Sequence, residues 1–462
     1  MASSHDHHIV PLHERRAPLT MGLLWISMIV FFPGVLVGFV WHKEGLSLSQ
    51  VLICTSVSCV LMMMYALPAA HIGSLSGQSY GALIRGVFGK VGNRVVAANL
   101  VWMFIAWYGL CSLFLAEGLK GLFHWNVPVI LIAPALAMIM ACNNFWGFKG
   151  VANFARFFAA PLLIAWVFYT LFKTVSTASP ALLTQSGTCS FELALSMVAN
   201  FVIGVCVWGN EADYWRHGKP KLHHSGIPIF ISYLLGMIVF PTTGWMVASM
   251  TGISDYGKAT EFMNDYSFGG IAIVGAVVLI ASYFAANDSN LYGSTNGLAQ
   301  LVKLPHRVSV ILLTVCGGIV AALMSFLGCA QAIEKVTSLN CVIMAMPTVI
   351  LGAEYFLIRR WLKIPAEFSS VATDDELPGW RLPAMVALVM GCAVGILTAG
   401  VLPGCDLLHV GICSVQAWLV GLIVYVSMRC LEHKREQEEI ALMRVLFEST
   451  LHEAEHEAVE VI

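Results

Sequence analysis

At 462 residues, 58% hydrophobic and only 11% charged, with a mean hydropathy of +0.78, the chain is too apolar for a water-soluble fold. Apolar runs of about 20 residues recur throughout it, which excludes a porin-type barrel, whose strands would read as alternating segments of about ten. The formal net charge of −2 carries no message about partners, because the charges segregate to the two sides of those runs, and no nucleic-acid surface is expected.

The chain opens with a polar segment, residues 1–20, carrying His5, His7, His8, Arg15 and Arg16. It reads as a disordered cytoplasmic tail, since metal capture would need a second ligand cluster. No small-residue cleavage site follows the first apolar run, so that run is an uncleaved helix rather than a signal peptide.

Runs follow at roughly 21–40, 51–68, 95–119, 127–145, 156–176, 192–212, 226–250, 268–300, 308–329, 338–358, 382–402 and 412–430. Lipid offers backbone groups no partner, so each run predicts a helix and the chain predicts an all-α integral membrane protein with about twelve spans. With both termini inside, only Lys43, Lys120, Lys173, Lys258 and Lys335 of the 25 Lys and Arg residues fall outside, as short basic loops staying cytoplasmic requires. Residues 21–358 form a ten-span core, 359–431 add spans 11 and 12, and 432–462 form a charged cytoplasmic tail. Ile440, Met443, Phe447 and Leu451 recur there at helical spacing, predicting an amphipathic helix. Between spans 7 and 8, "TGISDYGKATEFMNDYSFGG" suits a short helix over the outer mouth. The 13 Cys are odd in number and lack paired spacing, which predicts buried small hydrophobes rather than a disulfide framework.

A carrier for a small polar solute needs backbone and a few side chains facing a mid-membrane site, and interrupted helices in corresponding places supply it. Span 1 holds "FFPGVLVG", where Pro33 removes a donor and Gly34 permits an unusual turn; span 6 holds "GVCVWGNEADYWRHGKP". Ionisable groups within spans are costly and so have a partner or a task. Asp213 and Glu354 lie near Arg216, Arg359 and Arg360, predicting structural ion pairs at the inner surface; Glu211 and Asp288 complete the buried set, and Glu117 lies in span 3. Trp107, flanked by Gly109 that would leave space beside its ring, offers a flat face on which a planar heterocycle could stack, worth about 1–3 kcal/mol.

Several stretches together resemble the cytosine and purine permeases of the nucleobase cation symporter family. They are "SGQSYGALIRGVFGKVGN" after span 2, "AWYGL" in span 3, "ADYWRHGKP" ending span 6, "NDSNLYGSTNGLAQL" in span 8, "MPTVILGAEYFLIRR" in span 10 and "LPGWRLPAMVALVMGCAVG" entering span 11. The resemblance runs in order from about residue 20 to 430. It implies a five-plus-five inverted repeat with two helices appended, and solute held between spans 1, 3, 6 and 8 against Trp107. It also implies a binding set of Phe32, Gly34, Cys111, Gly204, Trp208, Ser282 and Asn287 around that ring. Asn287 and Asp288 would read the solute's edge or hold span 8 to its neighbours.

Three departures matter. Gly204 stands where the family often has a second aromatic plate, Trp208 offering a substitute one turn on; Phe104 stands where a Gln is common. Ala285 and Ala286 occupy the paired hydroxyl positions with which sodium-coupled members strip the ion's water, leaving Ser282 on a neighbouring part of that face. The resemblance thus implies a bacterial inner-membrane permease, expected as a monomer without organic cofactor. It would import a nucleobase-like heterocycle with a coupling cation, H+ through Asp288, Glu211 or Asp213 rather than Na+. A multispan enzyme would need a nucleophile or acid/base motif, and no HExxH, GxSxG or CxxC lies in the spans. A channel would need a filter-like repeat or charge ring, also absent. A sensor on the same fold would bind without uptake.

Overall fold

The computed structural model describes residues 9–460, apart from 367, 374, 403, 405–407, 409 and 410. Among the described residues, nine helices are long and apolar enough to cross a membrane. A pair bent by 48°, Pro18–Ile29 and Phe32–Lys43, forms a further, broken span, and Phe191–Cys206 and Leu382–Thr398 are shorter apolar helices. Together these occupy the twelve expected positions, and we number them spans 1 to 12 in chain order.

Local chemistry sets where they begin and bend. Span 2 (Leu48–Ser76) starts at a capping box in which Ser47 and Gln50 satisfy each other's backbone N–H groups. Span 3 (Tyr80–Phe123) is capped by Ser79 and kinks at Gly89, whose φ of 80° suits glycine. In span 1, Val30 and Phe31 adopt extended conformations between the two half-helices, and Pro33 needs no donor there. In span 6, Phe191–Cys206 ends at extended Val207, Gly209 turns with φ 74°, and a short helix resumes over Glu211–Trp215. The two breaks lie five spans apart, as an inverted repeat requires.

Span 8 (Ala272–Leu301) packs most extensively on span 3, and its buried stretch runs without interruption from Ala285 to Thr295. This answers why so polar a segment continues as helix: Asn287, Asp288 and Asn290 all face protein. Spans 5, 7 and 10 each contain a π turn, at Ala155–Ala159, Leu234–Val239 and Asn340–Met344.

Two ends differ from the simplest reading. The segment expected to be disordered is docked from Ile9 onward: Val10 N–H donates to Gly77 O at 2.9 Å, the Arg15 guanidinium reaches the carbonyls of Val10 and Ser74, and Arg16 pairs with the strand-like backbone of Gly218. His5, His7 and His8 lie outside the described residues. At the other end, one helix, Cys413–Glu460, runs from span 12 into the tail, with Ile440 and Met443 exposed; the side chains of Phe447 and Leu451 lie outside the described set. The loop between spans 7 and 8 does form a helix, Tyr256–Phe268, and Lys173 of span 5 donates to Tyr266 O at 2.6 Å.

Candidate functional site

Where the two breaks meet, a cavity is lined by Met28 and Phe31 of span 1, Phe104, Trp107 and Cys111 of span 3, Val205, Val207 and Trp208 of span 6, and Ala286 and Asn290 of span 8. Its volume is about 20 Å3. That is room for a water molecule and far below the roughly 300–1,000 Å3 of clefts that hold drug-sized ligands, so the site is closed in this conformation. Phe104 and Trp208 face each other at 6.0 Å between ring centroids. Apart from Asn290 the wall is apolar or aromatic, and among the described residues no Asp, Glu, Lys, Arg or His lines it.

Its polar groups are few and their orientation is fixed by neighbours. Asn287 donates from Nδ2 to Tyr108 O at 3.0 Å and to Ser112 Oγ at 3.1 Å, which ties span 8 to span 3. Because a carbonyl can only accept, this bond sets the Asn287 amide, whose Oδ1 then accepts from Asn290 Nδ2 at 3.1 Å. Asn290 therefore keeps its own Oδ1 as the acceptor at the cavity wall. Trp208, 6% exposed, has a buried indole N–H without a partner. The space is thus apolar and aromatic, lined by one amide, that of Asn290, and by an indole, that of Trp208, whose N–H is unpaired.

The expected site residues divide accordingly. Trp107, Cys111, Trp208 and Ala286 line the cavity; Asn287 sits one layer behind it. Four others do not line it. Gly204 packs against span 10, where a Cβ would fall 2.5 Å from Thr337 O, so the missing aromatic reflects close helix approach rather than an empty solute seat. Phe32 stacks on Trp166 of span 5 at 5.7 Å, turned away from the cavity that its neighbour Phe31 lines. Gly34 faces Gly236 and Phe240 of span 7, and Ser282 is fully buried with its hydroxyl unpaired. Gly109 leaves no gap beside Trp107; a Cβ there would meet Val320 at 2.7 Å, so it serves packing on span 9. Ala285 joins Ala159 and Ala281 in a small apolar cluster between spans 5 and 8.

The buried carboxylates hold the architecture. Glu211 accepts from the backbone N–H groups of Trp208 at 2.9 Å and Gly209 at 3.3 Å and from the Tyr65 hydroxyl at 3.1 Å, so it satisfies the donors exposed by the break. Asp213 accepts from the Tyr80 N–H at 2.8 Å, at the positive end of span 3, and from Asn210 at 3.1 Å. It therefore caps the start of span 3. It also borders a second, polar space with Tyr80, Asn93, Asn296 and Gln300. Asp288 accepts from Asn143 at 2.7 Å and Asn144 at 3.3 Å, on the turn joining spans 4 and 5. Glu354 does form the expected ion pair with Arg359, at 3.1 Å, and a second, unexpected one with Arg429 of span 12 at 3.9 Å. Asn340 of span 10 was missed by sequence reasoning. It donates to Gly204 O at 2.7 Å and Val207 O at 2.9 Å, covering the carbonyls freed by the same break. Only its place at the start of a π turn, inside an apolar run, would have flagged it.

Two opposed half-helix pairs around an aromatic-walled, closed cavity define a secondary transporter rather than an enzyme. The chain belongs to the family of permeases for cytosine/purines, uracil, thiamine and allantoin, whose model matches residues 10–421. Cytosine permease of Escherichia coli strain K12 is 22% identical over 404 residues, covering 85% of this chain and 89% of the relative. Among solved structures, Mhp1, a nucleobase-cation-symport-1 family transporter in a closed conformation with bromovinylhydantoin bound, superposes with a TM-score of 0.71 at 15% identity. The match covers 94% of this chain and 97% of that one. A Na+-coupled sialic acid symporter reaches 0.60 at 11% identity, covering 93% of each chain. At these identities the structures speak for the fold alone.

Proposed function

We propose that the chain imports a neutral, planar nitrogen heterocycle of the cytosine or purine type by alternating access, coupled to H+, across a bacterial inner membrane with both termini cytoplasmic. The observation that carries this reading is that Trp107 and Trp208 border one cavity at the meeting point of two broken spans. The absence of any Asp, Glu, Lys, Arg or His from its wall favours an uncharged solute, since a desolvated charge would go unpaired. Asn290 Oδ1 as acceptor and the Trp208 N–H as donor suit the adjacent donor and acceptor on the edge of such rings.

For coupling, the apolar cluster of Ala159, Ala281 and Ala285 offers no side-chain oxygen to a sodium ion at the position where the family resemblance would put one. Glu211 is the proton site we favour, ahead of Asp213 and Asp288. Protonating it weakens its hold on the Trp208 and Gly209 N–H groups, and this loosens the break beside the cavity. Proton binding and solute seating then bias the same element.

Uptake of labelled cytosine, adenine, guanine, uracil and hydantoin into proteoliposomes under imposed pH or Na+ gradients tests this. Uptake that follows the pH gradient, and falls with Trp107→Ala by the about 10- to 100-fold expected of a lost stacking plate, supports it. Uptake driven by Na+ alone overturns the coupling. Steady binding without uptake would make the chain a sensor on a carrier fold.

A further inference from the structure

From the central cavity a ladder of rings continues to the opposite side of the fold from the Lys173–Tyr266 contact. Trp208 meets Tyr214 edge-on at 6.0 Å, and Tyr214 meets Tyr292 at 5.4 Å. Tyr292 meets Phe148 at 5.7 Å, and Phe148 stacks on His217 at 3.9 Å with planes 10° apart. The ladder alternates between chain segments: Trp208, Tyr214 and His217 belong to span 6 and the loop after it, Tyr292 to span 8 and Phe148 to the start of span 5. It therefore lies along the seam between span 6 and its loop on one side and spans 5 and 8 on the other.

Two hydrogen bonds cross that seam, and the shorter is the one from Tyr214. The Tyr214 hydroxyl donates to Ser289 O of span 8 at 2.8 Å, and Tyr214 is fully buried. Arg216, two residues further on, donates to the Tyr292 hydroxyl at 3.5 Å. A buried core needs apolar volume, which aliphatic side chains would supply equally. Five rings in succession, starting at the cavity wall and ending in a surface loop, instead present flat faces wherever the seam parts. A planar solute leaving Trp208 meets Tyr214 first and Tyr292 behind it.

We propose that Tyr214 and Tyr292 form the inner gate and, once parted, a second stacking station that hands a planar heterocycle from the central cavity toward the cytoplasm. The solute class and the cytoplasmic sidedness rest on the function proposed above; the gate itself does not. Tyr214 acts through its hydroxyl bond to Ser289 as the latch. Tyr292 acts through its ring, which lies exposed along the route when span 6 swings away from span 8.

Two measurements separate the parts. Native Cys111 lines the central cavity, so its alkylation by a membrane-impermeant thiol reagent applied to the cytoplasmic side of inside-out vesicles, read by mass spectrometry of that peptide, reports inner opening. Tyr214→Phe keeps the ring and deletes only the latch, and should raise the Cys111 labelling rate about two- to tenfold, the weight of one hydrogen bond. Unchanged labelling overturns the latch. For the station, Tyr292→Leu should cut maximal uptake about tenfold with a smaller change in the half-saturating concentration, while Tyr292→Phe stays near the unsubstituted protein. Equal turnover in the two variants overturns the station. If no heterocycle is taken up by the unsubstituted protein but Tyr214→Phe still raises labelling, the proposed solute is wrong and the gate stands.

Discussion

The side-chain amide of Asn340 lies 2.7 Å from the carbonyl oxygen of Gly204 and donates a hydrogen bond to it, pinning the break in span 6 to span 10. With the second bond to Val207 O, this covers two carbonyls that helix interruption would otherwise strand in an apolar interior. Asn340→Leu should lower stability by about 1–3 kcal/mol, the cost of leaving buried acceptors unmade. Thermal unfolding in detergent checks this, and a midpoint equal to that of the unsubstituted protein would show that the carbonyls find other donors.

Glu211 does the corresponding work for the freed donors. Glu211→Gln keeps an acceptor oxygen for the Trp208 and Gly209 N–H groups but cannot release or bind a proton, so it should fold with a near-normal midpoint yet lose the pH-gradient dependence of uptake. Glu211→Ala should lose stability as well. Gradient-driven uptake that survives in the Gln variant assigns the proton elsewhere.

Gly204→Ala tests whether that glycine serves packing. Its added methyl would fall 2.5 Å from Thr337 O and 2.6 Å from Thr337 Cβ, both on the facing helix. Overpacking of this kind costs about 1–3 kcal/mol. A lowered unfolding midpoint with unaltered solute selectivity is expected; changed selectivity at normal stability would return Gly204 to the solute site.

His217, in the loop after span 6, is held neutral: burial, then the charges of Arg216, Arg16 and Arg15, push its pKa well below the ordinary value. A base whose folded pKa is depressed binds its proton more readily when unfolded, so its contribution is intact above about pH 6.5 and is lost as pH falls from there toward the folded value. The unfolding midpoint should therefore drop between pH 7.5 and 5.5, and His217→Phe, which keeps a ring against Phe148, should flatten that drop. An identical pH profile in the variant would exclude His217 as its source.

Asn287→Leu should break the tie between spans 8 and 3, since the Tyr108 carbonyl, the Ser112 hydroxyl and the Asn290 amide each lose one hydrogen bond. The midpoint should fall by the equivalent of about 1–3 kcal/mol, and solute affinity should fall too because Asn290 is no longer oriented. Normal affinity in a stable variant would separate Asn290 from solute recognition.

Sequence alone determined the membrane class, the twelve apolar segments, the two interruptions and Trp107 as a wall of the site. Each follows from a local rule: lipid accepts only internally paired backbone, and Pro33 or a Gly209 with positive φ cannot continue a helix. The structure decided which neighbours those residues meet. Phe31 rather than Phe32 faces the cavity, Gly204 and Gly109 pack against neighbouring helices, and Asp213 caps span 3. Adjacent residues on a helix point about 100° apart, and the partner opposite comes from a span more than 100 positions away. Facing is therefore a property of how helices pack, and no short stretch of sequence contains it.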